Sequence, residues 1–306
     1  MKRAIAVGHA ALDRIYRIEA FPPAPTKVRA SEHVEAGGGM AANAAAAFAR
    51  LGGEVELWSR VGDDEAGARI RQLLESDRVD ATFVRGFPGG RSSTSAIIVD
   101  ARGERLIVGH RDADIPIETG WLPLDRVRDA SIVMGDLRWT KAVTLAFHIA
   151  RQSGVPTLLD ADLGGTEELP GLLPVTDYAI FAEPALEVFA PGATLPEKLE
   201  KVLRYGVRHA GVTSGAAGYN WLNAEGVMGF QPAFKVGVVD TTGAGDAFHG
   251  AFAWAIAQGH AESECARIAS AVAAMKCRKL GGRAGLPTRT ELTAFLASGA
   301  AEQRRM

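Results

Sequence analysis

Apolar residues in this chain fall into two recurring patterns, short unbroken runs and longer stretches spaced by three or four positions. Residues 4–7, 55–59, 132–134, 157–160, 178–181 and 211–213 show the first pattern and predict strands buried on both faces. Residues 40–51, 66–75, 142–151, 195–205, 263–279 and 290–296 show the second and predict helices. The two kinds alternate, which predicts an α/β fold with a doubly wound, mainly parallel sheet flanked by helices. Two patches depart from this scheme. In 14–36 and 93–109 apolar residues come mostly at every second position with charged residues between, and Pro22, Pro23 and Pro25 interrupt the first patch. Such one-sided alternation fits exposed antiparallel strands, with 101–103 as a hairpin turn. We therefore expect a large domain from 1–11, 36–91 and 112–306, and a small antiparallel β lid over its mouth from 12–35 and 92–111.

Three glycine turns carry the candidate chemistry. Residues 240–250 read DTTGAGDAFHG: an apolar β-branched run at 236–239 predicts a strand, Gly243 and Gly245 bracket a turn, and Phe248, Ala251, Phe252, Ala255 and Ile256 recur at helical spacing. A strand–turn–helix junction aims backbone N–H groups and the positive end of a helix dipole at one spot, which suits a phosphate. Asp246 lies in the first helical turn. It either complements the dipole or, since a carboxylate repels phosphate, takes a proton from an attacking hydroxyl. Gly37, Gly38 and Gly39 let a ligand approach the backbone ahead of helix 40–51, and Asn43, one turn in, points back at them. Asp13 follows strand 4–7, at the end of an open α/β sheet where ligands bind; a turn or cap role fits it equally. Residues 213–218 (TSGAAG) form the third turn, which by itself says little.

Composition narrows the class. The chain has 306 residues, 47% of them hydrophobic, and a formal charge of −2, enough for a large core and without the like-charge runs of a nucleic-acid or acidic-membrane partner. No 18-residue apolar span and no signal-peptide pattern occur, so we expect a cytoplasmic protein. Cys265 and Cys277 fall in one predicted helix at a separation of roughly 18 Å, beyond disulfide reach.

The segment 240–250 resembles the second signature of the ribokinase-like sugar kinases, the PfkB family, and 37–53 (GGGMAANAAAAFARLGG) resembles the first. The resemblance runs over nearly the whole chain and implies an ATP-dependent carbohydrate kinase. Carried over residue by residue, Asp246 is the base, and the amides of Gly243, Ala244, Gly245 and Asp246 form an anion hole. Asp13, Gly38, Gly39 and Asn43 hold sugar hydroxyls. Thr213, Ser214, Gly215 and Gly218, with Gly243 and Gly245, meet the ATP phosphates. The resemblance further implies Mg2+, a potassium ion near Asp240, Thr242, Gly281 and Gly285, and a homodimer through the lid. Where relatives carry N-x-x-E for magnesium, this chain has Ala182, Glu183, Pro184 and Ala185, leaving Glu183 as the acid. Segments such as LDRIY (12–16), GDLRW (135–139) and GGRAGLP (281–287) look like the sulfofructose kinase branch, which acts on the 1-hydroxyl of 6-deoxy-6-sulfofructose. On that resemblance Lys27 and Arg138 face the sulfonate. Another ketose, ribose or a sugar phosphate stays open as substrate. A dinucleotide-dependent oxidoreductase and a non-catalytic sugar sensor are the distant alternatives.

Overall fold

The structure is a computed structural model and describes residues 3–111, 114–192 and 194–303, with side chains up to residue 298. The expected domain boundary at residue 112 and both chain ends lie outside it. The first third contains β1 (Ala4–Val7), β2 (Ala11–Arg17), β3 (Glu32–Gly38), α1 (Met40–Arg50), β4 (Val55–Gly62), α2 (Glu65–Ser76), β5 (Val84–Phe87), β6 (Thr94–Val99) and β7 (Arg105–His110). The middle adds β8 (Val133–Asp136), α3 (Thr140–Gln152), β9 (Thr157–Ala161), α4 (Leu169–Leu172), β10 (Tyr178–Ala182), α5 (Glu183–Phe189) and α6 (Leu195–Leu203). The chain closes with β11 (His209–Thr213), β12 (Tyr219–Asn223), β13 (Met228–Gln231), α7 (Ala244–Ala257), α8 (Glu262–Lys276) and α9 (Arg289–Gln303).

Nine strands form one sheet in the order β13-β12-β11-β10-β9-β8-β1-β4-β5. Its pairings from β5 to β11 are parallel; β12 and β13 add an antiparallel edge. The apolar runs become strands because both faces are covered. On β1, Ala4 and Ala6 pack with α1, α7 and α8, while Ile5 and Val7 pack with α3 and the helices after it. Four further strands make a separate sheet in the order β3-β2-β6-β7. It consists of two antiparallel hairpins joined by a parallel β2–β6 pairing. A small core of Ile15, Ile97 and Val99 lies on one face.

Residues 236–239 depart from expectation: no strand forms there. Their β-branched composition fits a strand, but the N–H groups of Val239 and Asp240 both donate to Cys277 O (2.8 and 3.2 Å), so the segment is tied to the end of α8 and not to a sheet neighbour. Helix α8 also stops earlier than its apolar spacing suggests, at Lys276, and α9 runs further than residue 296. Both cysteines are free and buried.

Close packing of α1 on α7 brings the two main glycine motifs together. Helix α1 is nearly all alanine, a strong helix former with little bulk, and a Cβ on Gly250 would lie 2.1 Å from Ala44 O. Alanine is favoured over glycine in a helix by about 1 kcal/mol, yet here the overlap is with backbone, which cannot give way. Gly250→Ala should therefore lose on the order of 1–3 kcal/mol, read as a lower urea midpoint at unchanged slope; equal or greater stability would show that the helices are free to separate.

Candidate functional site

The carboxyl ends of the central parallel strands carry a row of acids. Asp136 ends β8, Asp160 lies near the end of β9, and Asp13 stands on β2 just beyond β1. All three are buried. This is the sheet edge at which open α/β proteins bind ligands.

Asp136 acts as a clamp. Its Oδ2 accepts from the N–H groups of His9 (2.8 Å) and Ala41 (3.0 Å), and its Oδ1 accepts from Arg138 N–H (2.8 Å). One carboxylate thus fixes the ends of β1 and β8 and the start of α1. A Cβ on Gly8 would stand 2.4 Å from that carboxylate, which explains glycine at this position. Gly39 adopts φ +91°, and a Cβ there would meet His9 O at 2.5 Å.

Asn43 and Asp246 meet across the α1–α7 crossing. Asn43 Nδ2 donates to Asp246 Oδ2 at 2.7 Å. Arg283 fixes the amide orientation: its Nε donates to Asn43 Oδ1 (2.7 Å), and a guanidinium can only donate. Arg283 also donates to Gly38 O (3.2 Å) and pairs with Asp77 (2.9 Å). Burial pushes the Asp246 carboxyl up to about 7; the charges of Asp162, Asp136 and Asp13 add to this, and the Asn43 bond opposes it. Asp160 is raised well above the ordinary range by burial and then by the Asp246 charge, and Asp13 is raised by burial.

Asp246 lies in the first turn of α7, whose N-cap Gly243 is left-handed (φ 72°). Ala244 N–H donates to Thr241 O (3.2 Å), while the next two amides are first-turn groups without helical partners. A Cβ on Gly245 would meet nothing within 4 Å, so this turn faces open space. His249, one turn on, sets Nδ1 2.7 Å from Gly245 O and 3.3 Å from Asp160 Oδ2.

The other expected residues lie in several separate places. Thr213, Ser214, Gly215 and Gly218 form the β11–β12 hairpin turn, where Ser214 N–H donates to Gly218 O (2.9 Å) and Gly218 has φ +104°. Asp240 is fully buried; its carboxylate accepts from Thr242 N–H and Gly281 N–H, each at 2.8 Å. A Cβ on Gly285 would meet Lys276 O at 2.1 Å, a packing reason for that glycine. Lys27 is exposed on the β2–β3 connection, and Glu183 is exposed at the start of α5. The Arg138 guanidinium donates to Gly164 O. Sequence reasoning missed Arg283 and Asp136 as site residues. Both lie inside motifs that had drawn notice, GGRAGLP and GDLRW, and Asp136 ends an apolar run as conspicuously as Asp13 follows one.

Residues 1–289 match the family described as pfkB family carbohydrate kinase. The chain belongs to that family. It is therefore an ATP-dependent carbohydrate kinase. It is 30% identical over 305 residues to an ATP-dependent ribose-1-phosphate kinase of Halopiger xanaduensis, covering 97% of this chain and 98% of the relative. With a ribokinase of Bacillus subtilis it shares 26% over 302 residues, covering 97% and 100%. A crystal structure of an Agrobacterium tumefaciens protein superposes with a TM-score of 0.94 at 36% identity, covering 98% of this chain and 99% of that one. Arabidopsis thaliana ribokinase complexed with ribose and ATP gives 0.83 at 25% identity, covering 96% and 98%. Among the described residues no helix is long and apolar enough to cross a membrane.

The Asn43 bond stabilises the charged form of Asp246, so its loss favours the protonated form. Asn43→Ala should raise the Asp246 midpoint above about 7, measured by carbon-13 NMR titration of the aspartate carboxyls. An unchanged or lower midpoint in the variant would contradict this assignment of the bond.

Proposed function

We propose that this kinase transfers the γ-phosphoryl group of ATP to a primary hydroxyl of a sugar, with Asp246 as the general base. The carrying observation is the position of Asp246: a carboxylate bonded to Asn43, in the first turn of α7, with a pKa raised to about 7. A base poised near the working pH suits removal of a hydroxyl proton. In this reading the sugar lies against Asp13, Gly38, Gly39 and Asn43, which hold it so that one hydroxyl faces Asp246. The amides of Gly243, Gly245 and Asp246 meet the negative charge that develops on the transferred group, that of Ala244 being bound to Thr241 O, and the Thr213–Gly218 turn receives the rest of the triphosphate.

Magnesium would be held chiefly by the ATP phosphates, since it takes few protein ligands and hard oxygens. Asp160, whose Oδ2 is buried without a hydrogen-bond partner, fits such an ion. Glu183, at the end of the neighbouring strand, would contribute from the cleft rim. When bound, the ion supplies positive charge to the triphosphate.

The finer reading is a sugar bearing a fixed negative charge, 6-deoxy-6-sulfofructose being the case that the sequence resemblance suggests. Support comes from the charge around His9. Its pKa is lowered to about 4, first by burial and then, against the pull of Asp136, by Arg138, Arg111 and Arg60. Three guanidinium groups near one end of the cleft favour an anionic substituent, and Lys27 would join them from the β2–β3 connection. ADP release over a panel of sulfofructose, fructose, fructose 6-phosphate, tagatose 6-phosphate, ribose and ribose 1-phosphate decides the matter. Preference for an uncharged sugar would overturn the anionic reading and leave the kinase reading intact.

The four-stranded sheet serves in this reading as a lid. Arg105 on β7 reaches Thr241 Oγ1 beside the anion hole, which links the sheet to the reacting centre. The lid also forms the dimer: Leu106, Ile107 and Val108 on its edge strand are 49–59% exposed, an apolar edge of the kind that invites pairing. Sedimentation should give a dimer that Ile107→Asp splits; a monomer at micromolar concentration would refute it. Asp246→Asn should keep sugar binding, by calorimetry, and lower kcat by about 10²–10⁴. Near-normal turnover would remove Asp246 from its role.

A further inference from the structure

Beneath the DTTGAGD turn lies a lysine that the chemistry above does not use. Lys276 is the last residue of α8, and its side chain is fully buried. Its Nζ donates to the main-chain oxygen of Asp240 at 2.8 Å and stands 4.0 Å from Asp240 Oδ2. That carboxylate is otherwise occupied: Oδ1 by Thr242 N–H and Oδ2 by Gly281 N–H. Gly285 packs against the Lys276 carbonyl.

These are the residues that the sequence resemblance associates with potassium: Asp240, Thr242, Gly281 and Gly285. Here the chain itself already places a cation on Asp240 O, 4.0 Å from the Asp240 carboxylate. A buried ammonium is costly unless paired, and Lys276 is paired with the Asp240 carbonyl and carboxylate. Burial pulls its pKa down, and the Asp240 carboxylate pulls it back up. An ammonium group and a potassium ion are close in size and carry the same charge, and both bind carbonyl and carboxylate oxygen. The residues therefore do not fit an additional potassium ion at Asp240 O.

We propose that the Lys276 ammonium is a built-in monovalent cation that holds the Asp240–Gly243 turn, so that this kinase needs no potassium. Lys276 is a positioning residue: it fixes Asp240 O and, through the Asp240 carboxylate, the Thr242 and Gly281 amides. The left-handed Gly243 and the amides of the anion hole follow directly. The inference rests on the reading of this turn as the reacting centre, but its first test does not.

Thermal unfolding of the full chain should give the same Tm in potassium, sodium and tetramethylammonium chloride at equal ionic strength, because an ion that bound the native state would raise it. A rise specific to potassium would overturn the proposal, whether or not any sugar is turned over. With the accepted sugar, wild-type kcat should agree within about twofold among the three salts, and a potassium requirement of about tenfold or more would overturn it. Lys276→Met should lose about tenfold or more in kcat in tetramethylammonium chloride and regain most of it in potassium or ammonium chloride. Full activity of a folded variant in all three salts would also overturn the proposal. Should that variant fail to fold, the two wild-type measurements stand alone. Absence of turnover with every sugar would count against the proposed function and leave the melting test unaffected.

Discussion

The hydrogen bond between Asn43 and Asp246 joins residues 203 positions apart and ties the two main glycine motifs together. It can form only because α1 and α7 cross closely, with Gly250 against the Ala44 carbonyl and small residues along both helices. Arg283 completes the arrangement by occupying the other end of the Asn43 amide and the carbonyl of Gly38. A side chain from the chain's last loop thereby sets the orientation of a group in its first glycine motif. With both ends of the amide held, the donor on Asn43 has one direction in which to point, toward the carboxylate of Asp246.

Charge balance governs the rest of the cleft. Burial first, and then the charges of neighbouring carboxylates, push Asp246 and Asp160 toward their protonated forms, and burial does the same to Asp13. An anionic nucleotide would be repelled by such a surface if nothing offset it. The offset comes from the start of α7, from Arg138 and its arginine neighbours beside His9, and from two buried cations, Arg283 and Lys276, under the glycine loops. Backbone amides at a helix start carry only partial charge, so they can face phosphate without the desolvation that a further buried cation would need. The same environment that raises the Asp246 pKa to about 7 gives its carboxylate a higher proton affinity than that of an exposed aspartate.

The alternation of apolar runs and helical spacing gave the α/β architecture correctly, because strands buried on both faces have few compositional options. The run 236–239 misled for a related reason: β-branched residues report burial and stiffness, and nothing in them says whether a neighbouring strand is present. Here the available acceptor was Cys277 O at the end of α8. The hairpin of β12 and β13 went unread because its fit is made across the strands: Trp221 pairs with Gly229 and lies over it, where any side chain would collide with the indole.

Sequence by itself determined the glycine turns, the acid in the first turn of α7 and the family, because backbone freedom at Gly39 and Gly243 and the charge of an aspartate are properties of individual residues. Tertiary structure alone decided that Arg283 would orient Asn43, that Asp136 would bind three backbone amides, and that Lys276 would sit at Asp240. These depend on which charged side chains are buried together, and arginine, aspartate and lysine carry no sign in a sequence of whether they will face water or one another.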